Sequence, residues 1–166
     1  MNLSKDTVNV LKNFATINPN LVFKPGQKLK TISESKTILA SATIVEDFPK
    51  EFGVYDLNEF LSVLSLIESP TLEFEDKAVL ITGGGQKIRY FFSESSILTT
   101  PQKDIQMPDP EVGVNIEEDK LNQIRKAAAV LGHTELAITG NNGLITASVL
   151  DTKDSTSNLF EVELDK

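Results

Sequence analysis

The feature that most constrains the fold of this chain is a pattern that occurs three times. Each time, an amphipathic segment with helical periodicity is followed by three short segments with strand character. The pattern recurs at a spacing of roughly 50 to 60 residues, with negligible sequence identity between the copies. It predicts an α+β fold made of helix-plus-three-strand units with antiparallel sheets.

The first unit begins at Ser4, a natural helix N-cap, and Asp6 in the first turn favours the helix dipole. Asn18-Pro19-Asn20 ends the helix. Three strands are predicted over 21–24, 27–33 and 37–45. The apolar face of the helix is expected to contain Val8, Leu11, Phe14 and Ala15.

The second unit begins with a helix that Asp56 can cap, and Ser69-Pro70 ends it. Strands are predicted over 71–75, 78–82 and 87–93, with Gly83-Gly84-Gly85 as a hairpin turn. The helix has a broad apolar stripe, made of Leu57, Phe60, Leu61, Leu64, Leu66 and Ile67.

The third unit has a helix that opens over 115–119 with an acidic first turn and ends at Gly132. Strands are predicted over 134–139, 144–150 and 159–164, with a hairpin turn at Asn141-Asn142-Gly143. The apolar face of the helix is expected to contain Leu121, Ile124, Ala128 and Leu131.

A segment with three prolines and little periodicity, residues 99–113, separates the second unit from the third. We interpret it as an extended linker. The predicted organisation is a first domain of two units over 1–100, a linker over 101–114, and a partial second domain of one unit over 115–166.

Composition excludes several classes of site. The chain has no cysteine and one histidine, His133, so disulfides, thiolate metal sites, most zinc sites and Ser-His-Asp chemistry are unlikely. No apolar run reaches the roughly 20 residues of a membrane span, and the N-terminus has no signal-peptide core, so a cytoplasmic protein is expected. With 24 acidic and 16 basic residues the net charge is −8, so nucleic acid could be contacted only at a local basic surface.

Three patterns resemble functional motifs but have simpler interpretations. Gly83-Gly84-Gly85-Gln86-Lys87 lacks the Ser or Thr and the following helix of a phosphate-binding loop, so a hairpin turn is preferred. His133 is expected to interact with helix-terminal carbonyls or solvent. The acidic runs 117–119 and 104–109 are interpreted as helix N-terminal charge and solvated linker, and no metal site or cofactor is predicted.

Two of the three predicted helices have basic outer faces. Lys5, Asn9 and Lys12 lie within about 60° of one another on the first helix, away from its apolar face. The outward side of the third helix contains Asn122, Arg125 and Lys126. These could be ordinary solvated surfaces, or they could be local sites that touch a polyanion.

The sequences of the first two units resemble those of the DNA polymerase sliding clamps of T-even-type bacteriophages. The similarity is carried by Leu-Ser-Lys-Asp-Thr at 3–7, Leu-Lys-Asn-Phe-Ala-Thr-Ile-Asn at 11–18 and Tyr-Asp-Leu-Asn at 55–58. It continues in Phe-Leu at 60–61 and Leu-Ser-Leu at 64–66, and more thinly in the third helix and Leu-Ala-Ile-Thr at 136–139.

The resemblance implies the processivity-clamp fold and a non-enzymatic function. In that family three subunits close into a ring, duplex DNA passes through it, the replicative polymerase is tethered outside and an ATP-driven loader opens it. The DNA-facing residues implied here are Lys5, Asn9, Lys12, Asn122, Arg125 and Lys126. Ile105 and Met107 are guessed neighbours of a polymerase-docking groove, and the expected location is the cytoplasm of an infected bacterium.

The chain departs from the family in having three units where the family has four, so we expect a C-terminally truncated clamp that does not form the usual closed trimer. The alternative function is a protein-interaction adaptor with no nucleic-acid role. A small hydrolase or nucleotide-binding enzyme is disfavoured because the residue clusters such enzymes need are missing from the sequence.

Overall fold

A computed structural model describes residues 1–101 and 109–164 of the chain. The chain divides into two compact units, Met1–Ile105 and Gln106–Lys166, which we call the N-terminal unit and the C-terminal unit. The elements of the described residues are helices joined to antiparallel strands, as the α+β prediction requires.

The two helices of the N-terminal unit begin at the predicted caps. Helix α1 spans Lys5–Ile17, and the Ser4 hydroxyl accepts a hydrogen bond from the Thr7 amide. Helix α2 spans Leu57–Ser65, and the Asp56 carboxylate accepts from two amides of the first turn. The two helices pack against each other. Helix α2 ends at Ser65, so Leu66 and Ile67 of the predicted stripe lie beyond it: Leu66 is 66% exposed, against the prediction, whereas Ile67 is buried as expected.

Within residues 1–101, seven strands form three small antiparallel sheets. Strand β1 pairs with β4, β2 pairs with β3, and β5, β6 and β7 form a sheet in that order. Their bounds are β1 Leu21–Phe23, β2 Gly26–Ile32, β3 Leu39–Phe48, β4 Phe52–Val54, β5 Thr71–Phe74, β6 Ala78–Gly83 and β7 Gln86–Phe91. The sequence analysis missed β4, because three buried residues are too few to show a strand period.

One strand pairing and one pair of backbone hydrogen bonds join the first helix–strand repeat to the second. In β1 and β4, Phe23 lies opposite Phe52. At the other end of the unit, the terminal amine of Met1 donates to the Leu72 carbonyl at 2.8 Å, and the Leu72 amide donates to the Met1 carbonyl at 2.7 Å. The residues that precede each helix therefore pair with the first strand that follows the other helix.

An aromatic cluster fills the core of the N-terminal unit. The ring of Phe23 is fully buried and lies 4.4 Å from Phe52, 4.7 Å from Phe48 and 6.3 Å from Phe60, measured between ring centroids. Leu11 and Phe14 bring helix α1 into the same core. Because residues of both repeats contribute, each repeat buries its apolar face against the other.

Residues 109–164, the described part of the C-terminal unit, form one helix and one sheet. Helix α3 spans Glu118–Leu131, and strands β8 Glu135–Asn141, β9 Leu144–Leu150 and β10 Phe160–Leu164 form a sheet in the order β10-β9-β8. Its core is small, with four buried apolar residues: Ile124, Ala147, Val149 and Leu164.

The predicted apolar face of α3 was partly wrong. Ile124 is buried as expected, but Leu121 is 42% exposed, and Ala128 and Leu131 are only partly buried. The prediction assumed that the sheet buries every apolar residue on that face of the helix. A single sheet of three strands covers only a narrow stripe of α3, so residues beside the stripe stay exposed.

Candidate nucleic-acid interface

A partly buried carboxylate, that of Glu46, anchors the start of helix α1. Both oxygens of Glu46, on strand β3, accept hydrogen bonds from the helix N-terminus: one from the Ser4 amide and one from the Thr7 hydroxyl. Burial raises the pKa of Glu46, but these hydrogen bonds outweigh it and hold the pKa below its ordinary value. The negative charge also interacts favourably with the helix dipole.

The anchored helix exposes a polar face on its opposite side. Lys5, Asn9 and Lys12 are all exposed, while Leu11 and Phe14 point into the core. Neither lysine forms an ion pair within the part of the chain that the structure describes. The two ammonium groups are therefore available to an external anion.

Helical geometry adds Thr16 to this face, because it lies about 20° from Lys5 around the helix axis. Thr16 is exposed, and its hydroxyl donates to the Asn13 carbonyl at 2.7 Å. The sequence analysis did not single it out, since Thr carries no charge. The spacing of Lys5, Asn9, Lys12 and Thr16 was sufficient to find it.

Helix α2, which packs beside α1, has no positive charge on its exposed side. Asn58, Glu59, Ser62 and Ser65 are exposed. The hydroxyls of Ser62 and Ser65 donate to helix carbonyls at 2.8 and 2.7 Å. The positive charge on the helical side of the N-terminal unit therefore comes from α1.

The outer face of α3 has mixed charge. Asn122, Arg125 and Lys126 are exposed, as the helical period predicts. Glu118 is also exposed and lies about 20° from Arg125 around the helix axis. The positive potential of this face is therefore weaker at its N-terminal end than the sequence analysis assumed. Ile105 and Met107, the suggested neighbours of a polymerase-docking groove, lie outside the described residues.

The glycine-rich segment is a hairpin turn, as predicted. Gly84 and Gly85 have φ angles of 54° and 78° between strands β6 and β7, which is the pattern of a type I′ turn. A strand follows the turn where a phosphate-binding loop would require a helix.

His133 has one contact of the expected kind, because its backbone amide donates to the Ala128 carbonyl in the last turn of α3 at 3.2 Å, and one that was not predicted. Its Nε2 lies 2.8 Å from the carbonyl oxygen of Asn158, which precedes β10 and is not a helix-terminal carbonyl. The contact connects the residue that follows α3 to the loop that precedes β10, so it holds these two segments together.

The described ranges, 1–101 and 109–164, contain no group of three or more side chains that could hold a metal ion. Within the same ranges, no helix is both long and apolar enough to cross a membrane.

Comparison with known proteins gives consistent results. The family model described as DNA polymerase processivity factor matches residues 4–90, which include both α1 and α2. The sliding clamp of Vibrio phage KVP40 is 34% identical over 170 residues, covering 99% of this chain and 77% of that protein. The sliding clamp of Enterobacteria phage T4 is 33% identical over 147 residues, covering 87% of this chain and 64% of that protein.

The fold is also that of a clamp. The crystal structure of Proliferating Cellular Nuclear Antigen from Entamoeba histolytica matches 95% of this chain and 69% of its own with a TM-score of 0.60, at 13% identity. The expected fold class, with helices and antiparallel sheets, is confirmed by this likeness. Sequence and fold agree, and the chain belongs to the DNA polymerase processivity factor family.

Proposed function

We propose that this chain acts as a sliding clamp, which encircles duplex DNA and tethers the replicative DNA polymerase for processive viral replication. The observation that carries the proposal is the match of the processivity-factor family over residues 4–90, where α1 presents two lysines that form no ion pair with the described residues. The chain spans 77% of the KVP40 clamp and 64% of the T4 clamp, so the function of a complete clamp is proposed here by analogy.

The proposed DNA contacts are weak and independent of sequence. Lys5 and Lys12 would meet phosphates as point charges, and Asn9 and Thr16 would add neutral hydrogen bonds. Asn122, Arg125 and Lys126 would contribute in the same way from α3. Contacts to phosphates do not depend on the base sequence and do not fix the protein at one position, so a protein that surrounds the duplex can slide along it.

The net charge of −8 supports this arrangement. An acidic protein repels DNA over most of its surface, so the duplex is tolerated only where basic side chains are concentrated. The proposal further includes association into a homo-oligomer, an ATP-driven clamp loader as a second partner, and the cytoplasm of the infected bacterium as the location. The clamp itself would catalyse no reaction.

The first test is the stimulation of primer extension on circular single-stranded DNA by the cognate polymerase and loader. The Lys5→Glu/Lys12→Glu variant should shorten the extension products, because two attractive phosphate contacts become repulsive. The matched control is Lys28→Glu/Lys87→Glu, which changes the net charge equally at exposed positions on strands β2 and β7. Equal losses in the two variants would contradict the assignment of α1 to the DNA side.

A second measurement separates phosphate contact from other effects. Salt dependence of duplex binding should weaken in Lys5→Gln/Lys12→Gln, with the slope of log K against log salt falling by about 1.8 for two lost contacts. An unchanged slope would mean that neither lysine releases a counterion when DNA binds.

A further inference from the structure

The cap of helix α1 is completed by a side chain from another element. An ordinary capping box pairs Ser or Thr at the N-cap with Glu or Gln three residues later, whose side chain bonds the N-cap amide. In α1 the residue three positions after Ser4 is Thr7, which has no carboxylate. Glu46, 42 residues away on β3, supplies the carboxylate and accepts from the Ser4 amide. Tertiary structure therefore provides half of this capping box.

A chain of hydrogen bonds runs through the cap and ends on the carboxylate. The Ser4 hydroxyl donates to the Thr7 hydroxyl at 3.1 Å, and the Thr7 hydroxyl donates to the second oxygen of Glu46. Thr7 is buried and Glu46 is partly buried, so water does not freely replace these bonds. Loss of the carboxylate would leave the Ser4 amide and the Thr7 hydroxyl without their acceptor, which would loosen the first turn of α1.

The two lysines of α1 depend on this cap to different degrees. They lie about 20° apart around the helix axis, with Lys12 about two turns beyond Lys5. Lys5 is the first residue of the helix and directly follows the amide that Glu46 binds. Lys12 lies between Leu11 and Phe14, which are both buried in the core. The position of Lys5 therefore depends on Glu46, whereas the core holds Lys12 in place.

We propose that Glu46 is a positioning residue for DNA binding, which holds Lys5 in line with Lys12 so that both meet phosphates of the duplex. The inference rests on the proposed clamp function, since it requires that α1 faces DNA. A lysine in a frayed turn must be ordered again when DNA binds, so its phosphate contact weakens although its charge is unchanged. An acidic side chain thereby strengthens the binding of a polyanion, which is opposite to the effect of its charge alone.

The test is duplex binding measured by fluorescence anisotropy over a series of salt concentrations. Glu46→Ala should lower the slope of log K against log salt by up to about 0.9, which corresponds to one phosphate contact. The matched control is Asp47→Ala, which removes the same charge from the next residue of β3, where the side chain is exposed. The control should keep the slope of the parent chain. An unchanged slope in Glu46→Ala, or an equal loss in both variants, overturns the proposal.

Double variants separate positioning of one lysine from a general loss of helix structure. In a Lys5→Gln background, Glu46→Ala should cause no further loss of slope, because that contact is already missing. In a Lys12→Gln background it should cause the same loss as in the parent chain. A loss of about 1.8 from Glu46→Ala alone would mean that both lysine contacts disappear, which overturns the assignment of Glu46 to Lys5.

The failure of this inference is distinguishable from the failure of the proposed function. If Lys5→Gln leaves the slope unchanged, Lys5 contacts no phosphate, and the assignment of α1 to the DNA side falls together with the inference. If Lys5→Gln lowers the slope and Glu46→Ala does not, α1 still binds DNA and only the positioning role of Glu46 is wrong.

Conservative variants keep the test decisive if Glu46→Ala does not fold. Glu46→Gln should keep the slope of the parent chain, because its amide oxygen can accept from the Ser4 amide and its NH₂ group can donate to the Thr7 hydroxyl. Thr7→Val keeps the shape of the buried side chain and removes one hydrogen bond, so the slope should fall part of the way. A lowered slope in Glu46→Gln, or an unchanged slope in Thr7→Val, contradicts a role that acts through these bonds.

Hydrogen exchange gives a readout that needs no DNA. The amides of Ser4, Thr7 and Val8 are all hydrogen-bonded in this cap. They should exchange faster in Glu46→Ala than in Glu46→Gln or Asp47→Ala, because only the first variant removes the acceptor. Equal exchange in the three variants would show that the cap does not need the carboxylate and would overturn the proposal.

Discussion

The aromatic core of the N-terminal unit allows a quantitative test through Phe23→Ala. Phe23 is fully buried, and three phenylalanine rings lie within 6.3 Å of its own ring. Loss of the ring removes about 2 kcal/mol of burial free energy. It also leaves a cavity of about 100 Å³, which at about 24 cal/mol per Å³ adds about 2.4 kcal/mol, because stiff aromatic neighbours cannot collapse into it. The expected loss in the free energy of unfolding is about 4 kcal/mol.

The assay is urea unfolding followed by tyrosine fluorescence. The chain has no tryptophan, and both of its tyrosines, Tyr55 and Tyr90, belong to the N-terminal unit, so the signal reports that unit. Tyr90 lies 5.1 Å from Phe60 and is sensitive to core packing. At an m value of about 2 kcal/mol/M, the midpoint should fall by about 2 M.

Two variants make the Phe23 prediction falsifiable. Phe91→Ala removes the same side chain from β7, where it is 68% exposed, and should change stability by no more than about 0.5 kcal/mol. Phe23→Leu keeps most of the buried volume, should cost about 1 kcal/mol, and remains measurable if Phe23→Ala does not fold. A cost below about 1.5 kcal/mol for Phe23→Ala, or equal costs at positions 23 and 91, would refute a core centred on Phe23.

Three further predictions concern close packing and pH. Gly53→Ala should destabilise the N-terminal unit by about 1 to 3 kcal/mol in thermal unfolding, because the new Cβ would lie 2.5 Å from the Ser93 carbonyl oxygen. Gly140→Ala is the control and should be nearly neutral, since the space around its Cβ is open. Stability from Glu46 is full above its unfolded pKa of about 4.5 and is lost as the pH falls through its lower folded pKa, so Glu46→Gln should flatten the acid limb of a stability–pH curve. Burial, with nearby negative charges, raises the pKa of Tyr90 to about 12, so ultraviolet titration should show a tyrosine ionising there. Stability should decline as the pH rises from about 10 towards 12, because the unfolded chain loses this proton first. Ionisation of Tyr90 near pH 10 in the folded protein would contradict this.

Local chemistry was sufficient to place the helices and the hairpin turns. Ser4 and Asp56 cap helices where the sequence predicts them, because a side-chain oxygen before an apolar period satisfies free amides whatever surrounds it. Gly84 and Gly85 adopt the left-handed conformations that a two-residue hairpin needs. The exposure of Lys5, Asn9 and Lys12 also followed from helical period alone.

Tertiary structure decided which apolar residues are covered and how the repeats are joined. Strand β4 has three residues and no visible period, and it exists because β1 supplies its hydrogen bonds. Leu121 and Leu131 follow the same helical period as Ile124, yet of the three only Ile124 is fully buried. The sequence therefore determined where helices begin and chains turn, since those preferences act within a few residues. Burial and strand pairing depend on the partner surface, which only the folded chain, or a second chain, provides.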